Sequence, residues 1–131
     1  MIKTIFIFLT AFIFSAGFAQ SAKELYNTAN LKLDKGLYKE AIKDYDNSID
    51  LDKTFADAWY NRAVAKNTIK DYKGAIADYS QAIELNPGNV MAYNNRGLIR
   101  KTLKDYQGAF EDYTKAIEID SLFAPAWFNR G

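Results

Sequence analysis

The chain has 131 residues, about half of them apolar, a quarter charged and only two proline. That balance fits one small foldable domain and excludes both a multidomain enzyme and a disordered segment. There is no Cys and no His, and 17 basic residues face 16 acidic ones. Thiolate and imidazole metal ligands, cysteine nucleophiles and histidine bases are therefore excluded, and nothing in the charge steers the chain toward nucleic acid or anionic membranes.

The chain opens with a positive end at Lys3, an apolar run over residues 5–14, and the small residues Ser15, Ala16, Gly17 and Ala19. This layout predicts a secretory signal peptide over residues 1–19, cleaved after Ala19 to leave Gln20. Its apolar stretch is shorter than the roughly 20 residues a helix needs to cross a bilayer. No Arg precedes Arg62, which argues against a mitochondrial address. The product is expected to be exported, periplasmic or secreted, and to meet the membrane only transiently through its leader. An uncleaved leader anchoring the chain in the membrane is the alternative. Without cysteine, the exported part depends on packing alone for its stability.

From Ala22 onward the chain is periodic. Blocks 22–55, 56–89 and 90–123 are followed by a partial fourth, 124–131, and the second and third agree at 14 of 34 places without a gap. Periods in this range signify stacked supersecondary units. Each block reads as two helices. In the second block Trp59, Ala63 and Lys66 recur at helical spacing, Lys70 and Asp71 interrupt, and Tyr72, Ala75, Ile76, Tyr79, Ala82 and Ile83 form a second stripe. Asp71 and Asp105 are placed to cap the second helices, Asn86, Pro87 and Gly88 to stop one, and Pro125 to begin the last helix. Small residues recur at Ala29, Ala63, Gly97 and Gly131 in the first helices and at Ala41, Ala75 and Ala109 in the second. They predict a close helix crossing, with Trp59, Tyr93, Trp127, Tyr79 and Tyr113 filling the space beside it.

On Trp59, Ala63, Tyr72, Ala75, Tyr79, Ala82 and Pro87 the chain resembles the tetratricopeptide repeat family, and the resemblance covers everything after the leader, residues 20–131. It implies an all-α fold, a right-handed superhelical solenoid of antiparallel helix pairs, and a scaffold that binds protein or peptide segments. With no Cys, no His and no catalytic constellation, the residues themselves lead us to expect no cofactor, no metal site and no enzymatic activity. The family commonly has Leu where Arg62, Arg96 and Arg130 stand. A buried guanidinium requires a carboxylate. Asp44, Asp78 and Asp112 recur at a constant interval ahead of these arginines, and pairing within a block would leave Asp44 facing Thr28. The expected structural pairs are therefore inter-repeat: Asp44 with Arg62, Asp78 with Arg96, and Asp112 with Arg130.

In such an array the first helices line a concave groove. Helical spacing gives it Tyr26, Asn30, Tyr60, Val64, Asn94 and Leu98, with Lys23, Leu33, Asp57, Asn67, Met91 and Lys101 along the same face. Asn61 and Asn95 belong to a series with Asn27 and Asn129. These amides are expected either to hold a peptide backbone or to tie one helix to the next through backbone carbonyls. Family members that hold acidic chaperone tails use a two-carboxylate clamp. Asn30 and Asn61 match its amide places, but Tyr26, Met91 and Asn95 occupy the cationic ones, which disfavours such a ligand here.

Catalytic patterns are lacking: there is no glycine-rich phosphate loop, the Asp44, Asp46, Asp50 and Asp52 cluster lacks a calcium-loop glycine, and no serine has an imidazole partner. Adjacent carboxylates such as Glu111 and Asp112 point apart on a helix. The expected function is an exported protein-interaction scaffold. One alternative is a spacer that self-associates through an uncapped C-terminal end. The other is the N-terminal arm of a longer exported protein, since the partial fourth block has no second helix.

Overall fold

The structure, a computed structural model, describes residues 20–131, so the leader over residues 1–19 lies outside them. Among the described residues are seven helices and no strand: α1 (Ala22–Asp34), α2 (Tyr38–Leu51), α3 (Ala56–Thr68), α4 (Tyr72–Leu85), α5 (Val90–Thr102), α6 (Tyr106–Ile119) and α7 (Ala124–Arg130). Pairs α1/α2, α3/α4 and α5/α6 pack antiparallel, and each second helix also packs on the first helix of the following block. This is the all-α solenoid of helix pairs that the repeated blocks imply.

Local chemistry sets the helix limits. Asp71 and Asp105 each accept the backbone N–H three residues on, at Gly74 and Gly108, and so satisfy a donor that would otherwise be orphaned. Ser21 and Glu24 form a reciprocal capping box that starts α1. The turn inside each pair closes with a backbone bond from Leu37 N–H to the Lys32 carbonyl, from Asp71 to Lys66, and from Asp105 to Arg100. The residue just before each donor is left-handed, with φ of 76° at Gly36, 65° at Lys70 and 66° at Lys104. Glycine is at ease there, whereas the two lysines carry the strain that a Cβ brings. Pro125 lies in the first turn of α7, where its missing N–H costs nothing.

The small residues sit at the crossings, except for Gly131, which is exposed. Ala29, Ala41, Ala63, Ala75, Gly97 and Ala109 are all buried, and Tyr45, Tyr79 and Tyr113 fill the space beside them. Trp59 is half-buried; its indole N–H donates to the Lys53 carbonyl at 2.9 Å, pinning α3 to the preceding loop. Trp127 makes the same bond to Ser121 at 2.8 Å but remains about half exposed, so it does not fill the core as expected. Between helices the tightest glycine is Gly97, where an added Cβ would stand 2.7 Å from the Tyr113 ring and 3.2 Å from the Asp112 Cβ. Neither neighbour has free space, since both are buried. Gly97→Val is therefore expected to destabilise the domain by about 1–3 kcal/mol, read as a lower urea midpoint; an unchanged midpoint would contradict this packing.

Candidate functional site

The polar groups between the helices come in two repeated sets, one buried inside each pair and one along the shared face of the first helices. In the buried set, Asp78 accepts two bonds from Arg62, at 2.8 Å from Nε and 2.8 Å from Nη2, and a third contact from Lys66 at 2.9 Å. Asp112 does the same with Arg96, at 3.0 and 2.6 Å, and with Arg100 at 3.0 Å. In the first block Lys32 pairs with Asp44. These pairs correct the expected inter-repeat register. Arg62 is held by Asp78 of its own block rather than by Asp44, and Arg96 by Asp112 rather than by Asp78. Arg130 makes no ion pair among the described residues, with Asp112 or any other group, and stacks over Trp127 and Phe110.

The physical reason lies in a second cation. Asp44 is not orphaned by Thr28, because Lys32, one turn further along α1, reaches it. Lys66 and Arg100 stand at the same place in the next two blocks, a signal that periodicity alone contains. Inter-repeat bonds from the arginines exist two residues further on. Arg62 Nη1 donates to Asp46 at 2.6 Å and Arg96 Nη1 to Ser80 at 2.9 Å. Each guanidinium thus spans both helices of its own pair and the second helix of the preceding one, while stacking over Trp59 or Tyr93. Burial works against the Arg62 charge, but its bonds to Asp78 and Asp46 outweigh this and raise its pKa.

The second set holds the expected groove residues. Asn61 Nδ2 donates to the Tyr26 hydroxyl at 3.1 Å and to Asn30 Oδ1 at 2.9 Å, joining α3 to α1. Asn95 Nδ2 donates to the Tyr60 hydroxyl at 3.1 Å and to the Tyr79 hydroxyl at 3.4 Å, joining α5 to the preceding pair. Asn129 Nδ2 donates to Asn94 Oδ1 at 2.9 Å, joining α7 to α5. The amides therefore do tie one helix to the next, but through side-chain oxygens rather than backbone carbonyls. With both N–H groups engaged, Asn61 and Asn95 have no donor left for a ligand. Asn27 is exposed and stands outside the series.

The remaining residues divide by exposure. Tyr26 leans on Tyr45 and Phe55, with ring centroids 6.1 and 4.7 Å apart, and Tyr60 meets the edge of Tyr79 at 5.5 Å. Both are half-buried. Asn30 is also half-buried and accepts from the Tyr45 hydroxyl at 2.6 Å, an anchor the sequence reading misses although Tyr45 is in register with Tyr79 and Tyr113. Val64 packs on the core, Asn94 is buried, and Leu98 and Met91 are 40% and 46% exposed. The hydroxyls of Tyr26 and Tyr60 accept amide bonds but donate to no group among the described residues. Burial raises the Tyr60 pKa, partly offset by the Asn95 bond. The face therefore presents two phenol protons, the Asn61 carbonyl oxygen and two exposed apolar side chains. That suits recognition of a segment and includes no activated nucleophile.

Asp78→Ala would leave Arg62 and Lys66 without their shared carboxylate in a buried place. A loss of about 3–5 kcal/mol is expected in chemical denaturation. A loss below about 1 kcal/mol would show that the pair is solvated and weak.

A family profile described as Tetratricopeptide repeat matches residues 56–89 and 90–121, and another described as TPR repeat matches residues 29–66. Among solved structures, the first TPR of Spaghetti (RPAP3), bound to the HSP90 peptide SRMEEVD, is 30% identical with a TM-score of 0.81. The match covers 85% of this chain and 88% of that one. MamA is 29% identical with a TM-score of 0.81, over 83% of this chain and 64% of MamA, so the chain spans less than two thirds of that protein. The Arabidopsis OM64 TPR domain shares the fold at 24% identity and a TM-score of 0.79, over 83% and 90% of the two chains. A search of curated protein sequences finds no match. With profile matches running from residue 29 to residue 121 and a relative 30% identical over most of both chains, the protein belongs to the tetratricopeptide repeat family.

Proposed function

We propose that the protein is an exported interaction scaffold that binds an extended segment of a partner protein along the face of α1, α3 and α5. The observation that carries this reading is the unspent chemistry of that face: phenol donors on Tyr26 and Tyr60, the Asn61 carbonyl oxygen, and the exposed apolar Met91 and Leu98. Support comes also from the RPAP3 domain, which was solved with a bound peptide. The acidic character of that peptide does not carry over. The places that the family resemblance assigns to cations are held here by Tyr26, Met91 and Asn95, and no charge on them would meet two carboxylates.

Leu98 is the residue to test, because its partly exposed side chain can be changed without touching the amide ladder. Leu98→Glu is expected to leave helicity unchanged and to lower capture of the partner at least tenfold, read by crosslinking in the protein's native compartment. Unchanged capture would move the interface to the second helices.

Export rests on the leader, residues 1–19. N-terminal sequencing of the mature protein is expected to begin at Gln20; a terminus at Met1 would support the anchored alternative.

A further inference from the structure

The segment that this face suits is narrowed by what each side chain has left to offer. The amide ladder uses both N–H groups of Asn61 and of Asn95, and it places an amide donor on each of the Tyr26 and Tyr60 hydroxyl oxygens. A phenol that already accepts a bond has its own proton free. The two tyrosines stand at equivalent places in consecutive blocks, and so in the same register of neighbouring first helices. Asn61 bridges α1 and α3 side by side, and neighbouring helices lie roughly 8–10 Å apart, so two O–H donors recur at about that spacing along the face. Between them Asn61 Oδ1 accepts no bond from the described residues and is an open acceptor. Fixed charge along the face is small and mixed, from Lys23, Asp57 and Lys101.

A ligand for such a row must present carbonyl oxygens, few N–H groups and little charge, with the oxygens about 9 Å apart on one side. An α-helix does not fit, because its carbonyls are spent on its own backbone. A β-strand repeats each face every two residues, about 6.8 Å, and presents as many N–H groups as carbonyls. A polyproline II helix has three residues per turn and a rise of about 3.1 Å, so carbonyls three residues apart face the same way at about 9.3 Å, and none is internally bonded. Proline also lacks an N–H, which suits a row that is mostly donors.

We infer that the face binds a proline-rich, uncharged segment of a partner protein in the polyproline II conformation, with carbonyls of residues i and i+3 accepting from Tyr26 and Tyr60. Where a non-proline residue stands between them Asn61 Oδ1 takes its N–H, and Met91 and Leu98 carry the segment onward over the third block. The inference rests on the proposed partner-binding role of this face and specifies its ligand.

The test is calorimetric titration of the exported chain with three blocked or native peptides: a proline decamer, a glycine-serine decamer and SRMEEVD. The proline decamer is expected to bind at least tenfold more tightly than either other peptide. Tyr60→Phe and Tyr26→Phe are each expected to weaken it about fivefold. Tyr113→Phe, which removes a buried hydroxyl of α6 outside the face, is expected to leave affinity unchanged. Amide shift mapping on the unaltered chain is expected to place the perturbations on α1, α3 and α5, so that a tyrosine variant that misfolds does not remove the test. If the glycine-serine or acidic peptide binds equally well or better, the polyproline inference is overturned and segment binding stands. Absence of all peptide binding, with Leu98-sensitive partner capture intact, overturns this inference alone. Absence of both overturns it together with the proposed function.

Discussion

The buried aspartate inside a helix pair is the constraint on which much else depends. A carboxylate that is nearly fully buried, as Asp78 and Asp112 are, has to be met by cations and donors that fill its lone pairs. In each of these two cases an arginine on the first helix supplies a two-pronged bond and a second cation, one turn on, supplies a third. This fixes how far the second helix slides along the first. The remaining guanidinium nitrogen then reaches back to Asp46 or Ser80 of the preceding pair, so the same group that sets geometry within a pair also sets the rotation between pairs. The aromatic ring under each arginine leaves one side of the guanidinium covered by carbon, and its hydrogen bonds run in the plane.

Once the pairs are set, the first helices stand side by side, and the asparagine ladder forms between them. Its consequence for function is indirect. An amide in a groove can hold a ligand through both of its polar ends, but here the nitrogens of Asn61 and Asn95 are engaged in holding neighbouring helices together. In the proposed binding role, the chemistry offered to a ligand passes to the tyrosine hydroxyls that accept those bonds. The structural role and the proposed binding role thus fall to different ends of the same hydrogen-bonded chain. This explains why residues of this kind read equally well as anchors for a ligand and as struts between helices.

The third block departs from this pattern. Asn94 stands where Tyr60 and Tyr26 stand in the earlier blocks, and it is buried and bonded to Asn129 rather than exposed with a free proton. Leu98 and Met91 make that end of the face apolar. The face is thus graded, with polar donors at one end and carbon at the other. At α6 and α7 the match to the earlier blocks weakens further. The Tyr113 hydroxyl and Thr114 Oγ1 are buried without a partner among the described residues, although their counterparts Tyr79 and Ser80 are held by Asn95 and Arg96.

The sequence by itself determined the fold, the helix limits and the family. A fixed repeat length, small residues at fixed places, and capping aspartates are local or repeated features, and each constrains the backbone wherever it occurs. It also determined that the chain lacks histidine and cysteine chemistry. Tertiary structure alone decided the partners of polar groups. Arg62 has Asp44 ahead of it and Asp78 behind it at nearly equal separations along the chain, and periodicity cannot distinguish these, because both recur at every block. The choice depends on which carboxylate lies buried against the arginine's own helix and on whether Lys32, Lys66 or Arg100 shares it. The same holds for Asn61 and Asn95, whose amides have two uses by pattern alone and one once the neighbouring hydroxyls stand within 3.1 Å. Hydrogen-bond partners are settled by distance and direction at the level of an ångström, and a one-dimensional pattern places a residue only to within a helix face.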